Sequence, residues 1–292
     1  MTRLPITKTP KVYVGGAFIR SESSRVFPIH DASGRFYANI PQCTRKDLRN
    51  AVEAAAKAGP SWAKRTAYNR GQILYRLGEM LEARAAEMTD ALMVGSVPSP
   101  RTRAAAAKEV AATVDRLIYY AGWADKYEQV LGNVNPVAAP YFNFTVTEPM
   151  GVVGLIAPDA PALLGLVSLF APAIVSGNTV VALASETLPY QAILLGEMLA
   201  TSDLPGGVVN LLTGFRKEIV PTFATHTHLR AVGGVANADE RKTLKLGAAA
   251  SVKRTRLLKA ESRINWYAAN AESLEAIRDT LEFKTTWHPI GA

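Results

Sequence analysis

Cysteine is almost missing from this sequence, with one residue, Cys43, in 292. A lone thiol excludes an internal disulfide framework and suits a reducing cytosol. Histidine is nearly as sparse. Of the four, His226 and His228 stand two apart in a predicted loop with no third ligand nearby, which argues against a metal centre. No Ser/His/Asp arrangement, phosphate loop or helical carboxylate pair is present. The amino terminus, MTRLPITKTPKVYVGG, lacks the apolar core of a signal peptide. There is also no unbroken apolar run of membrane length. Residues 152–184 carry only Asp159 as a charge, but Pro158, Pro161, Pro172 and Gly177 divide them into pieces too short to span. These absences lead to the expectation of a soluble, cytoplasmic protein.

What is present is an ordinary globular composition. A hydrophobic content of 48% against 20% charged residues supplies ample core and excludes a disordered chain. The net charge of +8 raises the question of nucleic acid. However, the basic residues are scattered. Their densest cluster, Lys253, Arg254, Arg256 and Lys259, has no aromatic residues between its members, so it reads as a solvated face.

Residues 11–40 predict short strands separated by turns at SESS and ASGR. Thr44, with Asp47 three residues on, predicts the capped start of a helix over 44–58. Helical spacing continues over 67–92 and 103–127, the latter ending in an aromatic run (Tyr119, Tyr120, Trp123) expected to be core. Residues 133–149 form an extended excursion whose YFNFTVTEP alternates like an edge strand.

The chain is organised around residues 148–214. Two short β-type runs, 152–157 and 179–183, alternate with an apolar helical segment and an amphipathic one at 189–202. That order predicts a right-handed parallel crossover, with ligand space at the carboxyl ends of the strands. Further on, 216–225 and 238–249 read as helices, 229–232 and 252–258 as strands, 272–281 as a helix and 283–290 as a final extended piece.

The wording EPMGVVGLIAP, SGNTVVALASE and SDLPGGVVNLLTG, preceded by YVGGAFI, DLRNAVEAAAKAGPSWAKRTAYNRGQILYRLGEML and YYAGWADK, resembles the cofactor-binding half of the NAD(P)-dependent aldehyde dehydrogenase superfamily. The resemblance covers roughly residues 11–214 and, more faintly, extends to 258. It implies an α/β fold, a Rossmann-like parallel sheet with helices on both faces, plus an extended β oligomerisation arm at 133–149. On this reading, residues 1–258 form the cofactor-binding domain. Residues 259–292 hold a helix and the arm's terminal strand, FKTTWHPIG. The family's catalytic domain is missing between about residue 258 and that tail. The tail's likeness to a family terminus makes the short length read as native, as in degenerate second modules of the superfamily.

The resemblance also locates what is lost. The family's nucleophilic cysteine belongs to the missing domain, and Cys43 lies outside that motif. Leu258, in RLLKAE, stands where the family has its glutamate base, and leucine cannot take a proton. PDAP, residues 158–161, replaces the piece whose asparagine holds the oxyanion. No catalytic residue is therefore expected. For the cofactor, Leu183 replaces a ribose-binding lysine, a loss of about 1.5–3 kcal/mol of charge-assisted bonding. The loop GGVANAD, residues 233–239, lacks the family's serine. Pro158, Ser185, Glu186 and Gly214 remain as cofactor-binding candidates. Glu186 and Gly214 have an alternative reading as fold relics, Glu186 being simply a carboxylate at a helix N-terminus. The resulting expectation is no NAD(P) or a weak hold on it, no metal, no nucleic acid and no membrane. It assigns a non-catalytic role to the chain, as partner of a full-length aldehyde dehydrogenase or of itself through 133–149 and 283–290. The alternative is a residual NAD(P)-binding oxidoreductase acting on aldehydes.

Overall fold

The computed structural model describes residues 8–262 and 264–291; the start of the stretch read for a signal peptide lies outside them. Gly15 and Gly16, both at positive φ, fold the first apolar run into the antiparallel pair β1 (Val12–Val14) and β2 (Ala17–Ile19). A second hairpin follows, β3 (Val26–His30) with β4 (Phe36–Pro41).

Helix α1 (Arg45–Ala63) opens with the expected capping box, Thr44 Oγ1 and the Asp47 carboxylate each satisfying the other's backbone. It runs beyond the predicted end at residue 58, straight through Pro60. Near its end the Trp62 indole donates to the Ile174 carbonyl at 2.9 Å, a tertiary anchor that no local pattern announces. The single helix predicted over 67–92 is two, α2 (Ala67–Ala83) and α3 (Ala85–Leu92), broken at Arg84. Helix α4 (Pro100–Trp123) is capped by Ser99, with proline at its first position. The short α5 (Tyr127–Leu131) leads into β5 (Asn133–Asn135) and β6 (Tyr141–Pro149).

The organising stretch then forms as read: β7 (Val152–Ile156), α6 (Ala162–Val175), β8 (Thr179–Leu183), α7 (Tyr190–Ala200) and β9 (Val209–Leu212). After it come α8 (Arg216–Thr225), β10 (Leu229–Ala236), α9 (Ala238–Ala249), β11 (Arg254–Lys259), α10 (Leu274–Arg278) and β12 (Leu281–Pro289). The last helix is shorter than the predicted 272–281, because its end is drawn into β12.

The central sheet has the order β11-β10-β7-β8-β9-β1-β2, parallel from β11 to β9 and antiparallel beyond. Strand parity divides the core. Val153 and Leu155 face one apolar cluster with α2, α3, α4, α6 and α7, while Val152 and Ile156 face another with α1, α8 and α9. Helices thus cover both faces, which is why β7, β8 and β9 are buried along their whole length. Order reverses between β7 and β10, so the ligand crevice of such a sheet is expected at their carboxyl ends.

β10 continues through residues 233–236, which the sequence reading placed in a loop. Gly234 permits this at φ 111°: a Cβ there would lie 2.1 Å from the Ile156 carbonyl oxygen. Strand β12 pairs with β6 from Leu281–Pro149 to Pro289–Tyr141, and β5 pairs with the other side of β6. No helix among the described residues is long and apolar enough to cross a membrane.

Candidate functional site

The loops after β7, β8, β9, β10 and β11 converge on a cleft of about 800 Å³, reached by Pro158, Glu186, Arg216, Asn237, Glu240 and Ala260. Three of the four sequence-derived candidates have structural work there or beside it. Pro158 is buried against Gly165 of α6, where even a Cβ would overlap its ring. The Ser185 hydroxyl is fully buried, accepts from the Leu188 N–H at 2.9 Å and donates to Asp159 Oδ1 at 3.1 Å. Glu186 accepts the Arg216 N–H at 2.8 Å, which satisfies the first turn of α8. That is the helix-terminus role held open above. Gly214, at φ 145°, stands apart from the cleft lining. It lets the chain pass the Cys43 backbone, where a Cβ would be 3.0 Å from the Cys43 carbonyl oxygen.

The residue at the centre of the cleft was not among the candidates. Arg216, first in α8, folds its side chain back across the switch point. Its Nη1 donates to the Ala157 carbonyl just beyond β7 at 3.1 Å, and its Nη2 donates to the Val235 carbonyl of β10. Glu240 of α9 receives Nε at 2.8 Å and Nη2 at 2.9 Å, a bidentate pair with side chains 13% and 14% exposed. Burial by itself would raise the Glu240 carboxyl, but the Arg216 bonds, the Asn237 N–H and the Arg216 charge hold it below its ordinary value. For Arg216, burial lowers the guanidinium pKa, and Glu240 more than offsets this. The charged groups reaching the cleft are then three carboxylates, Asp159, Glu186 and Glu240, against Arg216 and Lys217.

Asp159 is also engaged. Its Oδ1 accepts the Glu186 N–H at 3.0 Å and the Thr187 N–H at 3.3 Å, fixing the loop after β8. The start of α6 is closed by Glu109 of α4, which accepts the Leu163 N–H at 2.7 Å and the Leu164 N–H at 3.2 Å. Burial keeps the Glu109 carboxyl above its ordinary pKa despite those two bonds. Asp159 stands beside a proline in PDAP, but Glu109 lies in an alanine-rich helical stretch that carries no local sign of its role.

The other residues weighed in the sequence are apolar or enclosed, apart from the two loop histidines. Leu183 is fully buried in the core on the α1 and α8 side of the sheet. Leu258 is half-buried on the edge strand β11. Cys43 is fully buried, and its thiol is pushed up to about 12, first by burial and then by the Asp47 charge. His226 and His228 stack edge to face with ring centroids 5.9 Å apart. No group of three or more potential metal ligands occurs among the described residues.

The same architecture is found in known proteins. Residues 18–264 match the profile of the aldehyde dehydrogenase family. Retinal dehydrogenase 2 of Gallus gallus is 33% identical over 248 residues, which are 84% of this chain and 47% of that protein. Omega-crystallin of Nototodarus sloanii is 28% identical, over 82% of this chain and 48% of its own length. The NAD+ complex of an aldehyde dehydrogenase from Bacillus cereus superposes with a TM-score of 0.80 at 25% identity, covering 86% of this chain and 51% of that one. A lactaldehyde dehydrogenase gives a TM-score of 0.78, also at 25% identity, over 85% and 51%. The chain thus spans about half the length of the relatives it matches. With the family profile matched over most of its sequence and the fold shared, this chain belongs to the aldehyde dehydrogenase family.

Proposed function

We propose that this chain is a non-catalytic member of its family, acting as a subunit that pairs with a full-length aldehyde dehydrogenase or with a second copy of itself. The observation that carries the proposal is the ribbon formed by β5, β6 and β12. All but the first residue of β12 are exposed. The ribbon presents Phe142, Val146, Phe283 and Trp287, the last 58% exposed. A three-stranded ribbon with bare aromatic faces and an unpaired outer strand has little to stabilise it in water and is a template for another chain. Pairing along 133–149 and 283–290 covers the faces and completes the edge.

The non-catalytic half of the proposal rests on the side chains. Leu258 cannot act as a base, residues 158–161 offer no side-chain amide to an oxyanion, and the Cys43 thiol stays protonated in the core. A dinucleotide does not fit the cleft as it stands. Arg216 lies across the switch point with its charge met by Glu240, Glu186 is spent on α8, and carboxylates outnumber cations in the cleft lining, which disfavours a polyanion. NAD(P) binding is therefore absent or weak. The test is an assay of the purified chain with NAD or NADP and a panel of aldehydes. The proposal expects no reduced cofactor to form, whereas turnover would establish the oxidoreductase alternative.

A further inference from the structure

A second cavity, of about 470 Å³, lies on the α6 side of the sheet and adjoins the cleft across Ile264 and Trp266, which line both. Its floor is the edge of the sheet, with Leu155 of β7, Ala231 of β10 and Leu258 of β11. Its roof is the returning chain from Ile264 to Ala276.

The roof is fastened at both ends. At one end the Arg116 guanidinium of α4, only 4% exposed, donates to the Trp266 carbonyl at 2.9 Å, the Ala271 carbonyl at 3.1 Å and the Glu272 carboxylate at 3.0 Å. It also donates to Ser168 of α6. Beyond its other end, where the chain enters β12, the fully buried Asn178 donates to the Thr280 carbonyl at 2.8 Å, and Arg254 donates to the Leu281 carbonyl at 2.6 Å. A roof pinned by buried polar groups on both sides holds a space open where apolar side chains would otherwise collapse.

The cavity is of ligand size and mostly apolar, with charge gathered among its polar groups. Arg254, Arg256 and Arg278 reach it against a single carboxylate, Asp279. Arg256 Nε holds that carboxylate at 2.7 Å in a pair whose side chains are 49% and 32% exposed, a partly solvated contact that an entering carboxylate would share or displace. The partners of the other two, Glu282 and Glu275, are half-exposed and bind them weakly. We propose that this cavity binds a small amphipathic carboxylic acid, its apolar body between β10 and the roof and its carboxylate among Arg254, Arg256 and Arg278. The cavity borders the arm, since Phe283 of β12 lines it and Arg254 bonds to Leu281 and Glu282, but the proposal does not require the arm to pair with another chain.

Calorimetry of the intact chain with decanoate, decanol and decylamine, each below its micelle concentration, tests it. Decanoate is expected to bind at least tenfold tighter than decanol, with decylamine giving no heat. Arg256→Gln is expected to bring decanoate down to the level of decanol. Ala231→Phe, which grows from the floor into the space, is expected to abolish binding. Ala276→Leu, from the roof, replaces it should that variant fail to fold. No heat with decanoate, equal binding of decylamine, or undiminished binding in the filled variant would overturn the proposal.

Discussion

Arg216 and Glu240, the first residue of α8 and the third of α9, close a bidentate pair at 2.8 and 2.9 Å over the point where the sheet reverses its strand order. Ligands of open parallel sheets bind at that point. Here it is bridged by the chain's own guanidinium, which also ties the Ala157 and Val235 carbonyls of neighbouring strands. The pair joins two helices and two strands, so its role is structural.

Arg216→Ala should therefore destabilise strongly. It leaves the mostly buried Glu240 without its counter-ion and uncaps two strand-end carbonyls, a loss of about 3 kcal/mol. Urea unfolding of the two proteins measures it. A loss below about 0.5 kcal/mol would mean that the pair is merely a surface contact.

Glu240 also predicts a pH dependence. Its folded-state pKa lies below the ordinary 4.5, so the stability it contributes is complete above 4.5 and is lost as pH falls through the lower, folded value. Wild type should exceed Glu240→Gln in melting temperature near neutrality, and the gap should close on acidification below 4.5. A gap independent of pH would assign the effect to packing.

Cys43 should be inert to thiol reagents in the folded chain. With the side chain fully buried and the thiol pushed up to about 12, almost no thiolate exists at neutral pH. Iodoacetamide labelling should appear only as denaturant unfolds the protein. Rapid labelling of the native protein would place the thiol at an accessible site.

The central crossover was legible because its physics is local. Continuous apolar runs at 152–157 and 179–183 belong to strands buried on both faces, and prolines and glycines mark the ends of the segments between them. Helix α1 was read short because Gly59 and Pro60 signal a stop, yet the helix is held beyond them by Trp62 reaching Ile174. The break at Arg84 carries no proline or glycine and so left no mark. At the site, the family resemblance directed attention to Ser185, Glu186 and Gly214. Arg216 escaped because an arginine opening a helix is ordinarily a solvated residue. Only the tertiary placement of Glu240 and two strand ends folds it inward.

The direct test of the account is the mass of the chain in solution, by light scattering after size exclusion, alone and mixed with a full-length aldehyde dehydrogenase from the same source. The account predicts an oligomer or a mixed complex that Trp287→Asp with Phe142→Asp, both on the exposed ribbon, converts to folded monomer. A wild-type chain that stays monomeric in both settings, or assemblies indifferent to those substitutions, would contradict it.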